Sequence, residues 1–130
     1  MSANWRILSR QAGLEVRDNT VRVSFEDRRK QTVLVQEELG GQIRLRSIVV
    51  AAEEVQTLGQ TNLRAWLRNR LSELVGFKID EKGRLIGEGL VPTAGLKAPE
   101  WAFHVTMLAR ACDRFEYVLT GLDRDRDGPV

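Results

Sequence analysis

The chain holds one histidine and one cysteine, His104 and Cys112, the two residue types best suited to nucleophilic or soft-metal chemistry. A Cys–His couple needs thiol and imidazole within hydrogen-bond reach. Eight residues separate the two on one helical segment, which is roughly 12 Å along a helix axis. They cannot act on each other within one chain. Zinc asks for several nitrogen or sulfur ligands, and the chain offers only these two. Cys112 is therefore expected as a small core residue and His104 as a half-buried structural one.

Other chemical patterns are weaker still. Asp123, Asp125, Asp127 and Gly128 reproduce the opening of a calcium loop, D-x-D-x-D-G. Pro129 follows the glycine, and the sequence stops at Val130, before the bidentate glutamate such a loop uses. The expected reading is a soluble Asp/Arg tail. Gly87 and Gly89 flank Glu88, but no strand–turn–helix unit surrounds them, as a nucleotide-binding glycine motif requires. There is no serine elbow, no phosphate loop and no carboxylate pair set by spacing for acid–base work. The expectation is no catalytic residue, no cofactor and no metal ligand.

The balance of charge narrows the partners. With 20 basic and 18 acidic residues the net charge is +2, too even to demand nucleic acid or an anionic membrane. A hydrophobic fraction of 42% and a charged fraction of 29% are ordinary for a globular protein. One cysteine makes no internal disulfide. The first residues lack the apolar stretch of a signal peptide, and no run approaches the roughly 20 apolar residues that span a bilayer. A cytoplasmic protein is expected, with one domain over residues 1–122 and a disordered tail over 123–130.

The elements that would position these residues follow from periodicity. Residues 3–12 read as a helix capped by Ser2, with Trp5, Leu8 and Ala12 on one side and Gly13 as terminator. The period then falls to two. Leu14 and Val16, then Val21, Val23 and Phe25, predict a hairpin around Asp18-Asn19. Two more strands follow at 32–36 and 42–51, joined at Gly40-Gly41. A second helix is expected over 60–75, with Leu63, Trp66, Leu67, Leu71 and Leu74 as its stripe. Phe77–Asp80 and Arg84–Glu88 form a hairpin, and Leu90–Ala98 a loop. Pro99 opens the last helix, which runs to Thr120. Its residues Trp101, Val105, Leu108, Cys112, Phe115 and Leu119 recur at spacings of four and three. The expected class is α+β, in the order α-β-β-β-β-α-β-β-α, an antiparallel sheet with helices packed on it.

Two surfaces stand out. Opposite the main stripe of the last helix lie Phe103, Met107 and Tyr117, with Arg110 and Arg114 among them. A dimer or partner contact would cover them. On the strands, Arg17, Arg22, Arg44 and Arg46 fall on the phase opposite the core residues. Such a basic face would suit phosphates, but no aromatic residues interleave for base stacking, and Glu15 and Glu26 dilute it. Ile48, Val49 and Val50 are apolar on both phases, so the end of that strand should be covered on both faces.

Several segments carry a resemblance. Leu67-Arg68-Asn69-Arg70-Leu71, Val75-Gly76-Phe77-Lys78-Ile79-Asp80, Lys82-Gly83-Arg84-Leu85 and Leu90-Val91-Pro92 resemble the YbjN family, which is similar in fold to the type III secretion chaperones of the CesT/Tir type. The shared pattern is a helix, a strand ending in Asp, a glycine turn, a second strand, a proline loop and a long amphipathic helix, covering about residues 60–120. The resemblance implies a non-enzymatic α+β module, usually dimeric, that binds other proteins, and it implies no catalytic residues. Acidic secretion chaperones are common, whereas this chain has a pI near 9.0, which favours the broader YbjN-like group. The leading expectation is thus a protein-binding, chaperone-like or regulatory homodimer taking another protein or peptide and no membrane. The alternative is a nucleic-acid accessory protein using the arginine face.

Overall fold

The computed structural model describes residues 4–26, 29–69 and 74–121. Six antiparallel strands form one sheet in the order β1-β2-β3-β4-β6-β5. They are β1 (Glu15–Arg17), β2 (Thr20–Ser24), β3 (Lys30–Glu38), β4 (Gln42–Val50), β5 (Gly76–Ile79) and β6 (Leu85–Pro92). The helices are α1 (Trp5–Gln11), α2 (Ala52–Leu58), α3 (Thr61–Asn69) and α4 (Ala98–Thr120). The class and the antiparallel sheet agree with the sequence reading. The order contains one more helix, α-β-β-β-β-α-α-β-β-α.

Alternation in the strands decides the core face. Val21, Val23, Val33, Val35, Ile43 and Leu45 all turn the same way and are buried. Helix α4 lies across them, and its six stripe residues from Trp101 to Leu119 are all buried. Burying a side chain of this kind contributes ~1.5–3 kcal/mol, so this helix is the main cover of the sheet. Its first turn is closed by Lys97 N donating to Glu100 Oε1 at 2.8 Å. Its end is set by Gly121, left-handed at φ 68, whose N–H reaches Tyr117 O at 2.8 Å.

Helix and sheet pack tightly at Cys112. A Cβ on Gly87 of β6 would run into the Cys112 sulfur and would crowd Phe77 at 3.2 Å and Val75 at 3.3 Å. Glycine is therefore required at position 87 for packing. Phe77 and Phe115 meet edge to face beside it, with centroids 4.7 Å apart, a favoured aromatic geometry. At the other end of α4, Trp101 Nε1 donates to Ser9 Oγ at 2.7 Å, and Ser9 Oγ donates to Trp5 O at 2.7 Å. That buried chain of bonds ties α1 to α4.

Four local expectations are corrected. The cap of α1 is Asn4, whose Oδ1 accepts from Arg6 N and Ile7 N; Ser2 lies outside the described residues. The expected helix over 60–75 ends at Asn69 among the described residues, Leu74 and Val75 are not helical, and Leu71 lies outside them. A separate helix, α2, precedes it. Nothing on α2 is fully buried, so it shows no apolar stripe in sequence, and Gly59 and Gln60, both at positive φ, break it from α3. The expected loop from Leu90 begins only after Pro92, because β6 continues along β4 through the Gln42↔Pro92 pair.

Helix α3 sits against β5, and its last residue finishes the sheet edge. Asn69 Oδ1 accepts from Phe77 N at 2.7 Å, and Asn69 Nδ2 donates to Phe77 O at 3.0 Å. One side-chain amide thus takes both bonds that a further strand would make there.

Replacing Gly87 with Ala should lower stability by about 1–3 kcal/mol, the usual cost of overpacking a core. Urea unfolding of Gly87→Ala, Cys112→Ala and the double variant checks it. The double variant should recover part of the loss, since the Cys112 sulfur is the closest obstacle; strictly additive losses would contradict that packing.

Candidate functional site

The two residues with the most reactive chemistry have been used for structure. Cys112 is fully buried, and its sulfur lies 3.7 Å from Ser47 O. Burial pushes its thiol up to about 12, so it stays protonated at neutral pH and is a poor nucleophile. His104 is half-buried, its ring edge-on to Phe103 with centroids 5.8 Å apart. Among the described residues no three His, Cys, Asp or Glu side chains gather as a metal site.

The four arginines singled out on the strands all lie on the outer face of the sheet, since Glu15↔Arg22, Arg17↔Thr20, Leu34↔Arg46 and Gln36↔Arg44 are cross-strand pairs on that side. Two of them are locked to carboxylates. Arg44 reaches Glu38 and Glu88, each at 3.0 Å, and Arg46 Nε reaches Glu88 Oε2 at 2.6 Å. Lys78 adds a third cation to Glu88 at 3.3 Å. Glu88, the middle residue of the G-x-G, is thus the hub of the outer face, with its side chain 16% exposed. Burial opposes its ionisation, but the bonds from Arg46, Arg44 and Lys78 outweigh that and hold its carboxyl below the usual value. The hydrogen bonds to Glu38 and Glu88 raise Arg44 in turn. Arg22 pairs loosely with Glu15 at 4.0 Å, and Arg17 is exposed.

The row singled out on α4 differs in exposure from residue to residue. Phe103 and Tyr117 are 56% and 53% exposed, Met107 is half-buried and Arg110 exposed. The Arg110 guanidinium lies over the Phe25 ring at 5.5 Å. Beside this row is a group that the sequence reading missed. Asp113, next to Cys112 and buried, forms a 2.7 Å ion pair with Arg29. A carboxylate inside the apolar register of a helix was the available signal.

A second apolar surface lies on α3. Of the residues expected as its core stripe, those among the described residues are exposed, and Leu74 lies beyond the helix. Leu63, Leu67 and Leu74 are exposed, and Trp66 is 57% exposed. The buried positions are the small ones, Thr61 and Ala65, because α3 lies close against β5. Arg68 stacks over Phe115 at 5.5 Å, and Arg64 reaches Val118 O at 3.3 Å.

With this geometry in hand, likeness to known proteins rests on structure alone. Neither a protein-family model nor a curated protein sequence matches the chain. The fold is type III secretion chaperone-like. A chain of the ExsC–ExsE complex matches with a TM-score of 0.60 over 88% of this chain and 92% of that one, at 20% identity. The Yersinia pestis type III secretion chaperone SycH, in complex with a stable fragment of YscM2, matches with a TM-score of 0.53 over 89% and 96%, at 12% identity. YbjN from E. coli matches with a TM-score of 0.56 over 89% and 86%, at 12% identity. The similarity to the YbjN and secretion-chaperone fold drawn from residues 60–120 therefore extends over most of the chain.

The Glu88 hub makes stability depend on acid. Its folded-state pKa lies below the ordinary 4.5. The stabilisation is complete above that value and is lost as pH falls through the folded one. Glu88→Gln should lower stability at neutral pH and flatten the loss as pH falls below the ordinary glutamate value, as read from urea midpoints; an unchanged slope would remove Glu88 as the source.

Proposed function

We propose that this chain is a non-enzymatic, protein-binding module, chaperone-like or regulatory, that works as a homodimer. The observation that carries the reading is the outward row of α4, Phe103, Met107, Arg110 and Tyr117. The opposite face of that helix already closes the core, and Phe103 and Tyr117 are left about half exposed. Aromatic, methionine and arginine side chains are the types enriched where proteins meet. The apolar surface of α3 adds a second area for contact. Two of the structures that share the fold, ExsC–ExsE and SycH with a fragment of YscM2, are complexes with another protein, which supports a protein or peptide as the partner.

Light scattering on the purified chain at high micromolar concentration should return the mass of two chains. Phe103→Ser and Tyr117→Ser together should shift it towards one chain while the circular dichroism spectrum is kept, because both side chains are half exposed. A monomeric parent chain would remove the dimer, and a dimer unaffected by the double substitution would place the contact elsewhere.

A further inference from the structure

The outward side of α4 carries charge as well as rings, and the charge is sorted along the helix. Glu100, Phe103, Met107, Arg110, Arg114 and Tyr117 recur at spacings of three and four, a seam along which two helices can lie side by side at a shallow angle. Met107 is half-buried and the other five are exposed. The acid stands in the first turn of α4, and both arginines stand in its second half. Among the described residues none of Glu100, Arg110 and Arg114 is in an ion pair, unlike Asp113 between them, which holds Arg29 at 2.7 Å.

Position along the row decides how a second copy fits it. Glu100 lies seven residues before Met107 and Arg114 seven after. Phe103 lies four before, and the small, partly buried Ala111 four after. Lys97 lies ten before and Tyr117 ten after. Two antiparallel copies of α4 about a two-fold axis at Met107 therefore set acid on base, ring on methyl and ammonium on ring together. Each pair is made twice, as an isologous contact requires. Seven residues are about 10 Å of helix axis, so the Glu100–Arg114 pairs flank the apolar centre and lie at its rim. His104 and Arg110, three residues either side, gain nothing from each other. Arg110 is turned to the Phe25 ring of its own chain, 5.5 Å away, and His104 is half-buried beside Phe103.

Other arrangements match less well. Parallel helices set Glu100 against Glu100 and Arg114 against Arg114. A two-fold axis at Arg110 stacks Phe103 on Tyr117 but brings the arginine against its own copy.

We infer that two copies of this chain pair through antiparallel α4 helices about a two-fold axis at Met107, with Glu100 of each copy on Arg114 of the other. This rests on the homodimer reading above and gives it an orientation and a register. Arg114→Glu and Glu100→Arg should each weaken self-association by about ten-fold or more, since each change acts twice in a symmetric dimer. Sedimentation equilibrium at low ionic strength, where exposed charges are least screened, reads the effect. Both substitutions in one chain should restore the dimer, and an equal mixture of the two single variants should form heterodimers. Glu100→Arg also removes the bond from Lys97 N, so Met107→Cys gives a second readout that leaves the charges alone. Only a residue on the axis meets its own copy, so diamide should link Met107→Cys chains by a disulfide and leave Phe103→Cys chains unlinked. The buried Cys112 does not compete. Simply additive losses in the double variant, or linking of Phe103→Cys and not of Met107→Cys, overturn this register and leave the homodimer standing. A parent chain that stays monomeric at high micromolar concentration overturns both, and the row then faces a different protein.

Discussion

At one crossing point of helix and sheet there is no room for a side chain. The Cys112 sulfur occupies the space where a Cβ of residue 87 would lie, and Phe77, Val75 and Phe115 pack around it. This contact fixes how low α4 rides on β6 and therefore how all six stripe residues reach the sheet. It also explains two features with apparent chemical promise. The lone thiol is desolvated and protonated because it is fully buried against β6. The G-x-G sequence is a packing device at Gly87, and Glu88 between the glycines points to the other face, where it gathers three cations.

The sheet consequently has two faces governed by different physics. The core face is held by apolar burial under α4, with Trp101, Ser9 and Trp5 joining α1 to the same layer. The outer face is held by charges matched across strands. Its arginines are largely used within the chain: two are matched by Glu38 and Glu88, each less than a third exposed. Such pairs, partly shielded from water, resist salt better than freely exposed ones.

The parts of the fold that were legible in sequence are those where one period dominates. The stripe from Trp101 to Leu119 was readable because a long helix with one buried face repeats its pattern over about five turns. The strands from Val21 to Leu45 were readable because one face is buried. Helix α3 misled because large apolar residues are read as core, and here small Thr61 and Ala65 fill the narrow space instead. Helix α2 was silent because none of its residues is fully buried. The outward row of α4 was visible as a second apolar phase. The early stop of the β3–β4 ladder at Leu34↔Arg46 was not, since Gln31 and Ser47 meet there from positions sixteen residues apart, which no local pattern records.

The amide of Asn69 has a wider meaning than the two bonds it makes. An exposed sheet margin is a template on which further copies can stack without limit. At Phe77 that template is blocked by a side chain imitating a strand, and the opposite margin, β1, is only three residues long. Growth by strand addition is thereby suppressed at both ends of the sheet. The sheet margins thus offer little template from which a fibre could start.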